Sequence, residues 1–195
     1  LGINSVTGFT KSFNSNYFCR FCTLSKEECK AVCSETDINS IRTLENYKVH
    51  CLDNSYGIKE ECIFNDLSSF HCITNTCCDI MHDLFEGVCR YDMAKILNYL
   101  IFVKNDITLD ELNRRIQYFD YDQDLDVGNR ITTLTEQHIR KGYITMSASE
   151  MLGFVIYFPL LIGDLVDIED ECWIFYLTLL DIVYVVMSDR FNKEY

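Results

Sequence analysis

The run Cys77-Cys78-Asp79-Ile80-Met81-His82-Asp83-Leu84-Phe85-Glu86-Gly87-Val88 constrains this chain more than any other segment. Read as a helix turning about 100° per residue, it gathers Asp79, His82, Asp83, Glu86 and Arg90 into one arc roughly 100° wide. Ile80, Leu84, Val88 and Tyr91 fall on the opposite side, with Met81 beside them. The pattern predicts a helix with one face on a core. Its other face carries three carboxylates, an imidazole and a guanidinium. A solvated face needs charge but no histidine flanked by acids, so the polar side is a candidate for chemistry. Asp79 and His82, three residues apart, offer two metal donors on one face, with Cys78 adjacent. Asp79, Asp83 and Glu86 are an alternative set, suited to magnesium in phosphoryl transfer. A plainer reading makes Asp79 the N-cap and the other acids partners of the helix dipole. That reading is favoured for Asp83 and Glu86, and a polar-network histidine is the plain alternative for His82.

A single proline and eight glycines leave long helices unbroken. With 195 residues, 48% hydrophobic and 24% charged, the chain can bury one sizeable core or two small ones. It begins at Leu1 and ends at Tyr195 just after an apolar run, which reads as a piece of a larger protein. The net charge is −13. Residues 1–100 hold 9 basic and 13 acidic side chains, and residues 101–195 hold 8 and 17. Phosphate backbones repel so acidic a second half. No Lys/Arg cluster reads as a nuclear import signal. Direct DNA contact, if any, falls to Lys11, Arg20, Lys26, Lys30 and Arg42 in the polar first 50 residues.

Ten of the eleven cysteines lie between Cys19 and Cys89. An odd count without a secretory leader argues against a disulfide framework and for reduced thiols, some on zinc. Cys19-Arg20-Phe21-Cys22 is the strongest metal signal, because two thiolates at this spacing bind one tetrahedral ion from a tight knuckle. Two more ligands must come from elsewhere. Cys77, Cys78, Asp79 and His82 are candidates, and Cys29 with Cys33 is the rival pair. A redox dithiol lacks its βαβ setting. Cys51, Cys62, Cys72, Cys89 and Cys172 read as small buried hydrophobes. Nucleophilic catalysis has no support: the chain contains no G-x-S-x-G, no P-loop and no dinucleotide fingerprint.

Along the chain, residues 1–22 read as extended or irregular. A short helix is predicted over 25–34, N-capped by Ser25 with Glu28 three positions on. Another is predicted over 40–51, then mostly loop over 52–76. A helical period runs from Asp79 to about Val103. Thr108 to Glu111 and Ser147 to Glu150 are capping-box patterns opening helices to about Phe119 and Leu165, and a final helix spans 169–188. The acidic loop at 120–133 lacks the closing glutamate of a calcium loop, its twelfth position being Ile131. The uncharged run Met151–Gly163, and Trp173–Met187 with its single Asp181, fall short of the ~18–20 apolar residues of a membrane span. A buried helical hairpin is expected there, rather than a membrane-associated one.

Several of these segments resemble a known group. Asn16 to Cys22, Gly57 to Asn65, Cys78 to Tyr91, Met151-Leu152-Gly153-Phe154 and Leu160 to Asp164 are similar to transposase-like proteins of animal genomes, related to the cut-and-paste DDE/D transposases. The resemblance covers most of the chain and is most specific over 77–91. It implies a parent with a ribonuclease-H-like catalytic core that uses magnesium for DNA strand transfer. The CxxC element would be Cys19 and Cys22, and the C/D-x-x-H element Asp79-x-x-His82. The catalytic acids would lie outside this segment, so the chain alone would not cut DNA.

The expectation is therefore a mainly α protein: a zinc-stapled, cysteine-rich region over 1–76, then a helical insertion-type bundle over 77–195. Cys19 and Cys22 would ligate structural zinc, His82 would complete the site, and Asp79 or Cys78 would serve as fourth ligand or orienting partner. DNA would be engaged through the full-length parent, with a protein partner or self-association as further options and no membrane. A reducing compartment, nuclear or cytoplasmic, is implied. The alternative is a domesticated, catalytically inactive zinc-binding protein-interaction module.

Overall fold

The computed structural model describes residues 2–12, 14–32, 40–121 and 130–188. Cys33 and the centre of the acidic loop, 122–129, lie outside the described residues. The chain is mainly helical, and among the described residues there is no β-strand, only two isolated antiparallel bridges, Phe9 to Ile58 and Cys22 to Ile41. It divides into two compact units, Leu1–Cys77 and Cys78–Tyr195.

The first unit holds short helices α1 (Gly2–Val6), α2 (Lys26–Ala31) and α3 (Leu44–Asp53), with a 3-10 turn at Ile63–Asp66. Helix α1 corrects the extended or irregular reading of residues 1–22 over Gly2–Val6. Its last turn closes on Thr7, whose amide and hydroxyl donate to the Ile3 carbonyl at 2.9 and 2.7 Å, and on the Phe9 amide, which donates to Asn4 at 2.8 Å; the buried Asn4 side-chain amide donates to the Thr10 carbonyl at 3.2 Å. The other two start at reciprocal capping boxes. Ser25 caps the Glu28 amide while the Glu28 carboxylate accepts from Ser25, and Thr43 and Asn46 do the same for α3. Two glycines let loops cross. Gly8 (φ +76°) and Gly57 (φ +81°) occupy the left-handed region, and a Cβ at either would strike a carbonyl oxygen, of Glu60 and of Tyr17 respectively. That close approach lets the Lys59 amide donate to Gly8 at 2.8 Å and the Thr10 amide to Gly57 at 2.7 Å. The core is small: Phe9, Tyr47, Ile58, Cys62 and Cys72, flanked by Cys51, Phe70 and Ile73.

The second unit is built on one long helix, α4. It begins π-wound over Met81–Cys89, continues α-wound over Arg90–Asn98 and ends π-wound over Tyr99–Val103. This winding corrects the face predicted from an ordinary helical period. Hydrogen bonding five residues apart widens the turn, so positions about four to five apart align. Phe85, Cys89, Met93 and Ala94 are buried, and Ile80 and Leu84 pack at the edge of the core. Val88 and Tyr91 are each 48% exposed and Met81 37%. Around α4 pack α5 (Leu109–Tyr118), α6 (Glu136–Arg140), α7 (Ala148–Ile162) and α8 (Glu171–Val186), with α7 on the first stretch of α4, α6 and α8 on its α-wound stretch, and α5 on α7.

Local chemistry explains these starts and stops. Thr108, Thr135 and Ser147 cap α5, α6 and α7. Asp170 caps α8, accepting from the Cys172 and Trp173 amides at 2.9 and 3.2 Å. The same carboxylate pairs with Lys104 at 2.7 Å and accepts from the Tyr99 hydroxyl at 3.1 Å, tying the end of α4 to α8. Asn113 clasps Leu134 through two backbone bonds of 2.8 and 2.7 Å. Helix α7 contains Pro159, which leaves the Val155 carbonyl without its helical donor. The buried Tyr176 hydroxyl of α8 donates to that carbonyl at 2.7 Å. Phe158 meets the rings of Tyr176 and Trp173 at 5.0 and 6.1 Å, so α7 and α8 touch, but the buried hairpin expected over 151–187 is corrected: α8 buries only Trp173, Tyr176, Leu179, Leu180 and Val183 and leaves its other side exposed. Among the described residues no helix is long and apolar enough to cross a membrane.

Candidate metal centre

Cys19 and Cys22 sit half-buried on a loop whose Cys22 end pairs with residues 40–42. The Arg42 amide donates to the Phe21 carbonyl at 2.9 Å, and the Thr23 amide to Ser40 at 2.7 Å. Pinned this way, the loop folds back so that the Phe21 amide donates to the Cys19 sulfur at 3.3 Å, and the Cys22 amide and thiol lie within reach of the same sulfur. Backbone amides aimed at a sulfur are what a thiolate knuckle requires. Burial nevertheless pushes the Cys19 thiol above its ordinary pKa, against the pull of the Phe21 and Cys22 amides. Burial thus favours the protonated thiol at Cys19.

Arg42 closes the loop from below. Only 4% exposed, it does not belong to the DNA-facing set expected from sequence. Its Nε and Nη2 donate to the Cys19 carbonyl at 3.3 and 3.0 Å, and Nη2 also donates to Tyr56. The guanidinium lies 5.2 Å from the Phe9 ring centroid. Nη1 is buried with no acceptor. Burial pulls the Arg42 pKa down, opposed by the thiols of Cys19, Cys22, Cys51 and Cys72. No carboxylate among the described residues lies within ion-pair distance of it. Nothing adjacent in sequence announces this role, because its carbonyl partners are 23 and 14 residues away.

The remaining cysteines behave differently. Tyr47 is buried, its hydroxyl accepts from the Cys62 amide at 3.0 Å, and the Cys51 and Cys72 thiols bond to it. Burial pushes Cys51 and Cys72 up, and Cys89 up to about 12, so these are protonated packing groups. Cys172 is half-buried against the second core. Cys29 is half-buried on α2, and Cys77 and Cys78 are exposed.

In the second unit Asp79 and His82 form a pair at the start of α4. Asp79 Oδ2 meets His82 Nδ1 at 2.7 Å, and Oδ1 accepts the His82 amide at 3.2 Å. The Asp79 amide donates to Asp83 at 3.0 Å. Asp79 thus caps the helix and orients the imidazole, leaving Nε2 facing outward, 3.8 Å from Glu86. The Asp79 carboxylate raises the His82 pKa, chiefly by hydrogen bond, and His82 lowers that of Asp79. Both side chains are largely solvated, and the pair costs the protein little to hold.

The expected donors therefore fall into two pairs in different units. Among the described residues, no group of three or more His, Cys, Asp or Glu side chains is arranged to hold a metal ion. The Cys19–Cys22 pair supplies two thiol donors of the kind zinc takes, two fewer than a tetrahedral site needs. Of the basic residues, Lys11 is exposed and Lys30 pairs with Glu27 at 2.8 Å. Lys26 is half-exposed, and Arg20 donates to Cys77 and Asn4 while covering the Phe21 ring at 4.7 Å. Comparison with protein-family models, with curated proteins and with solved structures finds no match to this chain.

Proposed function

We propose that this chain is the zinc-knuckle and helical-insertion part of a transposase-like protein, supplying a zinc-stabilised scaffold without the complete catalytic acids. The observation that carries the zinc assignment is the Cys19–Cys22 loop, with its amide-to-sulfur bond and the pairing of its Cys22 end with residues 40–42. The size of the first core supports it. Among the described residues, five buried apolar side chains form the core of the first unit, against twenty-eight in the second. At roughly 1.5–3 kcal/mol for each well-buried side chain, a five-residue core falls short of what ordering such a unit costs, and domains of this size take a metal or disulfides as staples. Zinc, once bound, would close the Cys19–Cys22 loop. The protein's own part is to hold Cys19 and Cys22 at ligand spacing and to exclude water around them.

The absence of a sheet among the described residues agrees with a helical insertion lying apart from a ribonuclease-H-like core. In this reading magnesium and strand transfer belong to the parent, and DNA is reached through it, with Lys11, Arg20, Lys26 and Lys30 as the basic residues of this segment. Free thiols at all ten described cysteines fit a reducing compartment, nuclear or cytoplasmic. The alternative, a catalytically inactive protein-interaction module, draws on one observation: α8 leaves Ile174, Phe175, Ile182 and Val185 about half exposed along one side. The test is the Cys19→Ser, Cys22→Ser double variant. It should lose bound zinc and first-unit stability together while the helical unit melts unchanged; full zinc retention would remove the assignment. Reproducible magnesium-dependent nicking of DNA by the isolated chain would overturn the placing of the catalytic acids outside it.

A further inference from the structure

Helix α8 has two apolar sides, and only one of them is covered. Trp173, Tyr176, Leu180 and Val183 are buried in the second core. On the opposite side Phe175, Thr178, Ile182 and Val185 follow one another at spacings of three, four and three residues, the register of a seam between two packed helices. Phe175 is 50% exposed, Ile182 48% and Val185 52%, and Ile174 beside them is 48% exposed. Single apolar side chains on a surface are ordinary, but a line of them along one helix is a contact face. Thr178 does not interrupt the line, because its hydroxyl donates to the Ile174 carbonyl at 3.0 Å and so turns back onto its own helix. A solvated helix face carries lysine or arginine, and α8 has neither.

The charge around this face selects what covers it. Residues 142–189 contain eight acidic side chains and no basic one. Asp164 and Asp170 are paired with Arg115 and Lys104. Asp167, Glu169 and Glu171 at the start of α8, and Asp181 at the edge of the seam, make no ion pair with a described residue. A second copy of this chain would bring an equally acidic seam, so Asp181 would find no cation in it, and two chains of net charge −13 repel. An anionic lipid surface is disfavoured for the same reason, since helices that lie on membranes place lysine and arginine beside the apolar stripe. We propose that the outer side of α8 docks a basic amphipathic helix of another protein. Apolar residues of that helix fill the seam along Phe175, Ile182 and Val185. Its lysines or arginines meet Asp181 at the edge and the acids of 167–171 at one end, and such flanking charges set partner and orientation. This deepens the interaction-module reading of the same helix and does not depend on zinc.

The test uses the full chain and a fluorescein-labelled helical peptide of about three heptads, with leucine at its seam positions and lysine at the positions beside them. A control peptide keeps the leucines and has glutamate for every lysine. Fluorescence anisotropy should show saturable binding of the lysine peptide and none of the glutamate peptide. Phe175→Ser and Ile182→Ser should each weaken binding at least about 10-fold, as loss of a central apolar anchor does. Asp181→Asn should weaken it less and reduce its salt dependence. All three positions are exposed, so the unfolding midpoint followed by Trp173 fluorescence should stay in place. Binding that survives both serine substitutions would be a general attraction of lysine to an acidic chain and would overturn the inference, as would failure of the lysine peptide to bind. A dimer in sedimentation equilibrium that Phe175→Ser abolishes would overturn it in favour of a second copy. Attachment to phosphatidylcholine–phosphatidylserine vesicles that the same variant abolishes would overturn it in favour of a lipid surface. Peptide binding that appears only after deletion of residues 189–195 would assign the face to the chain's own end. The outcome is separable from the zinc reading, because the Cys19→Ser, Cys22→Ser variant should bind the peptide as the wild type does.

Discussion

Removing one hydroxyl, in Tyr176→Phe, should unfasten α7 from α8. Pro159 deprives the Val155 carbonyl of its backbone donor, and the fully buried Tyr176 hydroxyl replaces it at 2.7 Å. The phenylalanine variant keeps the ring contacts with Phe158 and Trp173 and leaves a buried carbonyl with no donor. Such a group costs about 1–3 kcal/mol, so a loss of about 2 kcal/mol is expected. With a urea dependence of about 2 kcal/mol per molar, the unfolding midpoint falls by about 1 M. Trp173, the only tryptophan, lies 4.9 Å from Tyr176, so its fluorescence reports unfolding of this unit. The decisive comparison is a double-mutant cycle with Pro159→Ala. Alanine restores an amide to the Val155 carbonyl, so Tyr176→Phe should then cost less than about 1 kcal/mol. An equal cost in both backgrounds would refute the claim that the hydroxyl stands in for the missing helical bond.

Three further expectations follow from other parts of the molecule. Phe85→Ala should cost about 3–5 kcal/mol and Val88→Ala less than about 0.5 kcal/mol, both read by urea unfolding; the reverse order would return α4 to ordinary winding. Gly8→Ala should destabilise the first unit by about 2–3 kcal/mol, since a left-handed backbone and a carbonyl both oppose a Cβ. Hydrogen exchange at the Thr10 and Lys59 amides measures it, and unchanged protection would contradict the crossing. Arg114 and Arg115 hold the Glu111 carboxyl down at about 2. A depressed carboxylate gives stability that is fully present above its ordinary value near ~4.3 and is lost as pH falls toward the folded-state value. Glu111→Gln should therefore flatten the stability profile between about pH 4.5 and 2, and profiles that stay parallel would show that the cluster contributes nothing.

Legibility followed distance along the chain. Ser25, Thr108 and Ser147 announced helix starts because a cap is read within four residues, and each caps where expected. At Thr108 only half of the box forms, because Glu111 turns to Arg114 and Arg115 instead of the cap amide. The Asp79–His82 contact is legible for the same reason, as is the spacing of Cys19 and Cys22. The winding of α4 was not, since a helical pattern is also satisfied by the ordinary period, and only the packing of Phe85 and Cys89 selects the wider turn. Helix α6 is five residues long and too short to show periodicity. The burial of Arg42 is not legible in the sequence, because it depends on Cys19, Tyr56 and Phe9 converging from separate segments.

The zinc proposal is that Cys19 and Cys22 hold the first unit together through a bound ion. Its most direct test is the metal content, by mass spectrometry, of the full chain purified under reducing conditions without added metal. About one zinc per chain, lost in the Cys19→Ser, Cys22→Ser variant, is the predicted result. A folded first unit with no bound metal would contradict the account and reduce both cysteines to packing groups.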